Sequence, residues 1–365
     1  MRFTFSQLKG EIQSALKDMG FERPTPVQAV AIPLALEGRD LLIQARTGTG
    51  KTGAFALPIL ESIKPGEKAL ILAPTRELAL QIRDHMRDMG KFLGLMILAL
   101  YGGTPVMKDV WILSTADPDV IVGTPGRIRD LISRGSLKID GIRYLVLDEV
   151  DLMLDLGFRE EIEWIVSKVP RSRQTFMVSA TVPDGIKEIA ARYLKGDFHR
   201  VSVEELKPRV REIVIRIKSE DQKIGELTRI LKENGDERVM VFVRTRRSAK
   251  GLASTLKRSG FNAAPLHGDM PQRKRESVMR AFRQGEVSVL VATDVASRGL
   301  DIDGVSLVVN YHIPEDPKVY IHRIGRTGRL GREGTAINLV SPSERANLFR
   351  IERLKRGFTG SRLRT

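Results

Sequence analysis

Nine short apolar runs, each closed by turn-forming residues and followed by an amphipathic helical pattern, govern what this chain can fold into. They are Asp40–Ala45, Ala69–Ala73, Val120–Gly123, Tyr144–Asp148 and Thr175–Ser179, then Val239–Val243, Ala263–Leu266, Val287–Ala292 and Leu307–Tyr311. Runs this uniformly apolar suit strands covered on both faces, and strands that alternate with helices form parallel sheets. The expected fold class is α/β, with two parallel sheets in tandem. A length of 365 residues exceeds what one core ordinarily holds and favours two domains. Between Asp197 and Glu212 neither a helical nor a strand period of useful length is read. The domain linker is placed there, giving domains 1–205 and 206–365.

Charge divides at the same place. Residues 1–205 hold 27 basic and 27 acidic side chains, whereas 206–365 hold 33 basic and 18 acidic, so the net +15 sits in the second half. A basic half beside a neutral one suits a polyanionic partner, or solubility alone. With no cysteine and five scattered histidines, a disulfide scaffold, thiolate catalysis and sulfur-bound zinc are excluded. No apolar run approaches a bilayer span, and the opening Met1-Arg2-Phe3-Thr4-Phe5 lacks a signal-peptide core. A cytoplasmic protein without membrane association is expected.

Gln44-Ala45-Arg46-Thr47-Gly48-Thr49-Gly50-Lys51-Thr52 follows one apolar run and opens a helical pattern over Gly53–Leu60. Glycines let backbone N–H groups turn toward a phosphate, and the helix N-terminus adds partial positive charge. Lys51 is expected on the β/γ-phosphates and the Thr52 hydroxyl on Mg²⁺. Ala45 stands where the general pattern has its first glycine. A second run ends in Asp148-Glu149, two acids that suit a metal-holding carboxylate (Asp148) and a group that orients or deprotonates water (Glu149). An isolated acidic pair after a strand more often caps the next helix; beside a phosphate loop the catalytic reading is preferred.

With the rest of the chain, these residues resemble the DEAD-box family of ATP-dependent RNA helicases in helicase superfamily 2. The resemblance implies two tandem RecA-like domains of P-loop NTPase type, with ATP and Mg²⁺ as ligands and RNA as partner. Gly20-Phe21-Glu22-Arg23-Pro24-Thr25-Pro26-Val27-Gln28 looks like the family's Q motif. It implies adenine binding by Phe21, Arg23 and Gln28, with Phe3 as the ring stacked on the base. A side-chain amide offers a donor and an acceptor side by side, which suits adenine. Asp148-Glu149-Val150-Asp151 carries valine where the family name has alanine, and the two extra methyl groups must be accommodated behind the site. Asp151, Ser179-Ala180-Thr181 and His322 are implied in coupling hydrolysis to strand separation.

Other segments resemble the family's RNA-contacting loops. They are Pro74-Thr75-Arg76, Gly102-Gly103 and Thr124-Pro125-Gly126-Arg127 in the first half, then Arg244-Thr245, His267-Gly268-Asp269, Gln272 with Arg275, and Thr293-Asp294. Taken singly, each of the first-half segments is better read as an ordinary strand-to-helix turn. Contacts to phosphate and the 2′-hydroxyl would favour RNA without favouring a sequence, and at 5% aromatic content base stacking is not the main source of affinity. His322-Arg323-Ile324-Gly325-Arg326-Thr327-Gly328-Arg329 resembles the arginine-finger motif, with Arg326 and Arg329 on the γ-phosphate, and Asp301 is implied at the ribose. The tail from Ser343, with seven basic and two acidic residues, reads as a solvated helix, or else as a supplementary RNA contact. The expectation is a monomeric RNA-dependent ATPase that separates short duplexes, with an ATP-gated RNA clamp as the alternative.

Overall fold

The computed structural model describes residues 3–45, 48–202, 210–235, 237–294, 305–328 and 334–360, the side chains of 272, 318 and 354–360 excepted. The chain divides into two compact units, Met1–Glu204 and Glu205–Thr365.

A seven-stranded, wholly parallel sheet organises the first unit. Its strands are β1 Leu41–Gln44, β2 Lys68–Leu72, β3 Ile97–Leu100, β4 Val120–Gly123, β5 Ile142–Leu147, β6 Gln174–Ser179 and β7 His199–Ser202, ordered β3-β4-β2-β5-β6-β1-β7. Side chains alternate between two cores. Ala69 and Ile71 of β2 enter one, Leu70 and Leu72 the other, and Leu41, Ile43 and Leu42 of β1 split likewise. Helices Lys51–Ser62 and Arg76–Met89 cover the first face, and Pro125–Ser133, Arg159–Lys168 and Asp184–Tyr193 the second. A sheet roofed on both faces needs apolar residues at every position, hence the unbroken runs.

The second unit repeats the plan with six parallel strands: β8 Val210–Arg216, β9 Val239–Phe242, β10 Ala263–Leu266, β11 Val289–Ala292, β12 Leu307–Asn310 and β13 Gly334–Val340. Their order is β10-β11-β9-β12-β13-β8. Val239 and Val241 face one core, Met240 and Phe242 another, and a smaller cluster around Ile313, Tyr320, Ile324, Ala336 and Val340 lies at the helix Pro317–Ile324.

All nine expected runs are strands, their ends displaced by no more than two residues. The span Asp197–Glu212 needs correction, because it contains β7 and the start of β8, both edge strands. Val201 alone is buried in β7, and β8 alternates between exposed and half-buried positions. Their extended form comes from pairing with β1 and β13, which an apolar pattern cannot report. Residues 203–209 lie outside the described residues. The basic tail forms a helix, Arg345–Gly360. Among the described residues no helix is long and apolar enough to cross a membrane.

Since every strand in a sheet runs the same way, the loops that leave the strands emerge along one edge, where open α/β sheets bind ligands. In the first unit that edge is partitioned: β1, β6 and β5 carry the phosphate loop, Ser179-Ala180-Thr181 and Asp148-Glu149, while β2, β4 and β3 carry the segments from Pro74, Thr124 and Gly102.

Candidate active site

The phosphate loop is pinned at its base, where the Ala45 N–H donates to Ser179 O at 3.0 Å. Gly48 and Gly50 hold φ of 85° and 88°, a conformation that costs glycine little and other residues more. Gly50 caps the helix Lys51–Ser62, so the first residue of that helix is the lysine. Lys51 is 6% exposed, and its Nζ is buried without a hydrogen-bond partner. A buried ammonium left in this state is costly, and an anionic ligand at the helix N-terminus would complete it. Thr52 is half-buried one residue on; Arg46 and Thr47 lie outside the described residues.

Asp148 follows β5, its N–H donating to Leu72 O at 2.9 Å. Its carboxylate accepts the Glu149 N–H at 3.0 Å, and Lys51 Nζ lies 3.8 Å from Glu149 Oε1. Burial pushes the Asp148 carboxyl well above the usual range; Lys51 opposes this and Glu149 and Asp151 reinforce it. This hard oxygen set in want of a cation fits a magnesium ion. Among the described residues no three His, Cys, Asp or Glu side chains form a cage, so such an ion would lean on phosphates and water. Glu149 is held at φ 51° and ψ 53°, left-handed for a residue with a Cβ. Val150 is fully buried beside Leu147 and Met153, so its methyl groups are packed within the core. Asp151 Oδ2 accepts both the N–H and the hydroxyl of Thr181 at 3.0 Å, and Ser179 Oγ donates to Thr181 O at 2.6 Å. The acidic loop and the Ser179–Thr181 segment are thereby one unit.

Gln28, the residue expected at an adenine edge, lies against the phosphate loop. Its Nε2 donates to Gly50 O and its Oε1 accepts the Thr25 N–H, both at 3.0 Å, so the amide braces the phosphate loop. The amide has room for this because Gly50 and Gly53 lack side chains: a Cβ at Gly53 would lie 2.5 Å from Gln28 Nε2. Phe21 and Arg23 are exposed nearby. Phe3 corrects the expectation of a ring stacked on the base. It is 4% exposed, packed edge-on to Phe5 at 6.4 Å within the first core, because burying an aromatic ring there outweighs leaving it in water.

On the other half of the edge, Thr75 caps the helix Arg76–Met89 by accepting the Leu78 N–H, and the Arg76 guanidinium lies 4.2 Å over the Tyr101 ring. Gly103 needs its φ of 83°, and the Gly102 N–H donates to Thr124 Oγ1 at 3.4 Å. Pro125 opens the next helix, with Gly126 in its first turn. Arg127, expected to face RNA, is instead 8% exposed, pairing with Asp109 and donating to Thr104 O at 2.6 Å. A buried guanidinium must be satisfied within the protein, so Arg127 ties loops together here.

In the second unit Thr245 repeats the cap of Thr75, accepting the Ser248 N–H at 3.0 Å, and the Arg244 N–H donates to His312 Nδ1 at 3.3 Å. Asp269 is paired with Arg246, and this bond holds its carboxyl below the usual range. His267 is 2% exposed with Nδ1 lacking a partner, beside Gly268; Arg275 stands on the helix Gln272–Gln284, and the side chain of Gln272 is outside the described residues. Thr293 is buried, its N–H donating to Leu266 O, and Asp294 is held bidentately by Arg323 at 2.6 and 2.9 Å. The Asp294 carboxylate, expected near RNA, is thus turned to a guanidinium. His322 and Arg326 lie at the end of the helix Pro317–Ile324 and just beyond it; Asp301 and Arg329 are outside the described residues.

Residues 25–189 match the DEAD/DEAH box helicase family model, and residues 222–331 match that of the helicase conserved C-terminal domain. The chain belongs to the DEAD/DEAH box helicase family. Among curated members it is 45% identical over 357 residues to the DEAD-box ATP-dependent RNA helicase CshA of Geobacillus kaustophilus, covering 96% of this chain and 76% of that one. It is 44% identical over 355 residues to CshA of Listeria monocytogenes, covering 96% and 68%. The chain thus spans about two thirds to three quarters of the length of such relatives. Among solved helicases, S. cerevisiae Dbp5 bound to RNA and ADP BeF3 aligns at TM-score 0.85 and 32% identity, over 98% of this chain and 93% of that one. A DEAD box protein from Methanococcus jannaschii aligns at TM-score 0.59 and 37% identity, over 98% of both.

Asp109, Thr104 and Arg323 bear on these DEAD-box segments and were not singled out from the sequence. Asp109 stands 18 residues from Arg127, a separation that no local spacing rule connects. Arg323 lay in plain view inside the arginine-rich motif, but its grip on Asp294 depends on the fold.

Proposed function

We propose that this chain is an ATP-dependent RNA helicase in which RNA-stimulated hydrolysis drives local separation of short duplexes. It is read as a two-domain core, 1–205 and 206–365, with Val150 at the alanine position of the acidic motif. The observation that carries this reading is the buried Lys51 ammonium at the end of a glycine loop, facing Glu149 at 3.8 Å and without a hydrogen-bond partner among the described residues.

Lys51, the N–H groups of residues 46–50 and Thr52 bind the phosphates, with Ala45 anchoring the loop through Ser179 O, Phe21 and Arg23 lie against the base, and Gln28 acts through the loop it braces. Thr52 and Asp148 would hold Mg²⁺, which when bound neutralises phosphate charge. Glu149 takes a proton from, or orients, the attacking water. Arg326, with Arg329 and Asp301, belongs to the second unit, so charge developing on the transferred phosphoryl group is stabilised only when that unit is engaged. The loops from Pro74, Gly102, Thr124, Arg244, His267 and Thr293 meet the RNA backbone. Coupling runs through the Asp151–Thr181 bonds and His322.

The test is ATP turnover measured together with release of a short labelled duplex, with RNA, with DNA and with no nucleic acid. RNA-specific stimulation with release supports the reading. Turnover without release shows a clamp, and equal stimulation by DNA overturns the RNA assignment.

A further inference from the structure

The second unit contains a line of buried polar side chains that the roles above leave unused. Arg323 Nη1 donates to His312 O at 2.6 Å and to Asn310 Oδ1 at 3.0 Å, while its other nitrogens hold Asp294. Asn310 Nδ2 then donates to Asn338 Oδ1 at 2.8 Å, Asn338 Nδ2 to Tyr320 Oη at 3.0 Å, and Tyr320 Oη to Glu212 Oε2 at 2.5 Å. Arg323, Asn310, Asn338 and Tyr320 are each no more than 2% exposed.

Every hydrogen bond in this line points the same way, from a guanidinium at one end to a carboxylate at the other. Bonds in such a series polarise one another, and in an interior lined by Ile313, Ile324, Ala336 and Val340 a break would leave donors and acceptors unsatisfied. Burial, aided by Glu212, raises the Tyr320 phenol, which therefore stays a donor at working pH. The two asparagines are register partners on β12 and β13, and Glu212 is on β8, so the line crosses three neighbouring strands.

Tyr320 and Arg323 both belong to the helix Pro317–Ile324, and the Arg326 N–H donates to Arg323 O at 3.1 Å. Apolar packing alone is non-directional and would let this helix rotate or slide. Directional bonds at two of its residues fix its rotation and its height on the sheet. We propose that Tyr320, Asn338 and Asn310 are positioning residues for hydrolysis, holding this helix in the one setting that presents Arg326 to the nucleotide. The inference rests on the reading of Arg326 given above.

The experiment compares RNA-stimulated ATP turnover in the full chain for wild type, Tyr320→Phe, Glu212→Gln, Glu212→Ala and Arg326→Ala, well below each melting temperature. Tyr320→Phe removes one hydroxyl and no packing, and kcat is expected to fall about fivefold with KM for ATP and RNA affinity within about twofold. Glu212→Gln keeps an acceptor for the hydroxyl and restores most of the rate, whereas Glu212→Ala follows Tyr320→Phe. A lowered melting temperature with unchanged kcat in Tyr320→Phe overturns the proposal. Should that variant fail to fold, unchanged kcat in Glu212→Ala at the exposed edge strand overturns it alone. Undiminished turnover by Arg326→Ala is a separate result, which removes the arginine from its role.

Discussion

Lys51 Nζ and Glu149 Oε1 face each other at 3.8 Å, too far for a hydrogen bond, and among the described residues the ammonium has no hydrogen-bond partner. The pair stands at the end of the glycine loop, where the helix Lys51–Ser62 begins. Lys51→Ala should therefore abolish nucleotide binding and turnover together. Glu149→Gln should lower turnover by about 10²- to 10⁴-fold while nucleotide affinity stays within a few-fold. Steady-state hydrolysis and equilibrium titration with a fluorescent nucleotide separate the two, and substantial turnover by Glu149→Gln would remove Glu149 from its catalytic role.

The left-handed backbone at Glu149 makes a prediction about stability. At a helix N-cap glycine is already favoured over alanine, and here alanine also inherits the left-handed strain that glycine relieves. Glu149→Gly should be more stable than Glu149→Ala by about 1 kcal/mol, read from thermal or urea unfolding. The reverse order would mean that the strain is absent in solution.

Gln28 and Gly53 form a steric lock. In Gly53→Ala the new methyl group would stand 2.5 Å from Gln28 Nε2, the free end of a flexible side chain. Unfolding should change by less than about 1 kcal/mol, because the amide can swing away. Losing its bond to Gly50 O should weaken nucleotide binding, with Gln28→Ala producing a similar loss. Calorimetric titration of both variants checks this, and an unchanged affinity in both would show that the brace is dispensable.

His312 governs an acid limb of stability. Burial, with Lys223 adding, pulls its imidazole down to about 4. Between pH 6.5 and 4 the unfolded chain takes up a proton that the folded chain refuses, so stability is full above 6.5 and falls as pH is lowered toward 4. His312→Asn, which keeps an acceptor for the Arg244 N–H, should flatten this slope. Parallel pH–melting curves for the two proteins would sink the idea.

Asp109 and Arg127 are a buried pair, and removing one partner strands the other. Asp109→Ala should cost about 3 to 5 kcal/mol. Asp109→Leu with Arg127→Met should recover much of that stability while RNA-stimulated turnover stays depressed, because the loop carrying Gly102 and Gly103 loses its tether to Thr124–Arg127. Unfolding and turnover of the single and double variants decide it, and full turnover in the double variant would show that the tether has no part in RNA binding.

The central strands and the phosphate loop were legible because both are local: an apolar run or a glycine turn carries its own chemistry. Edge strands β7 and β8 were not, since they owe their form to partners distant in sequence. The same limit shows at Arg127 and Asp294, whose motifs suggested RNA while their side chains meet Asp109 and Arg323. Motif spacing reports which loop a residue occupies. Which way the side chain turns depends on burial, which only the folded chain decides. Phe3 shows the same thing, as 17 residues of separation from Gly20 said nothing of the core that encloses its ring.

The uniform strand direction has a practical corollary for engineering. Turns that lead from helix back to strand, such as the exposed Lys64-Pro65-Gly66 ahead of β2, sit at the rim opposite the strand-end loops, and Lys64 offers an exposed side chain there while Gly66 is held at φ 83°. A reporter dye or affinity tag grafted at that rim would ride on the first unit away from its strand-end loops.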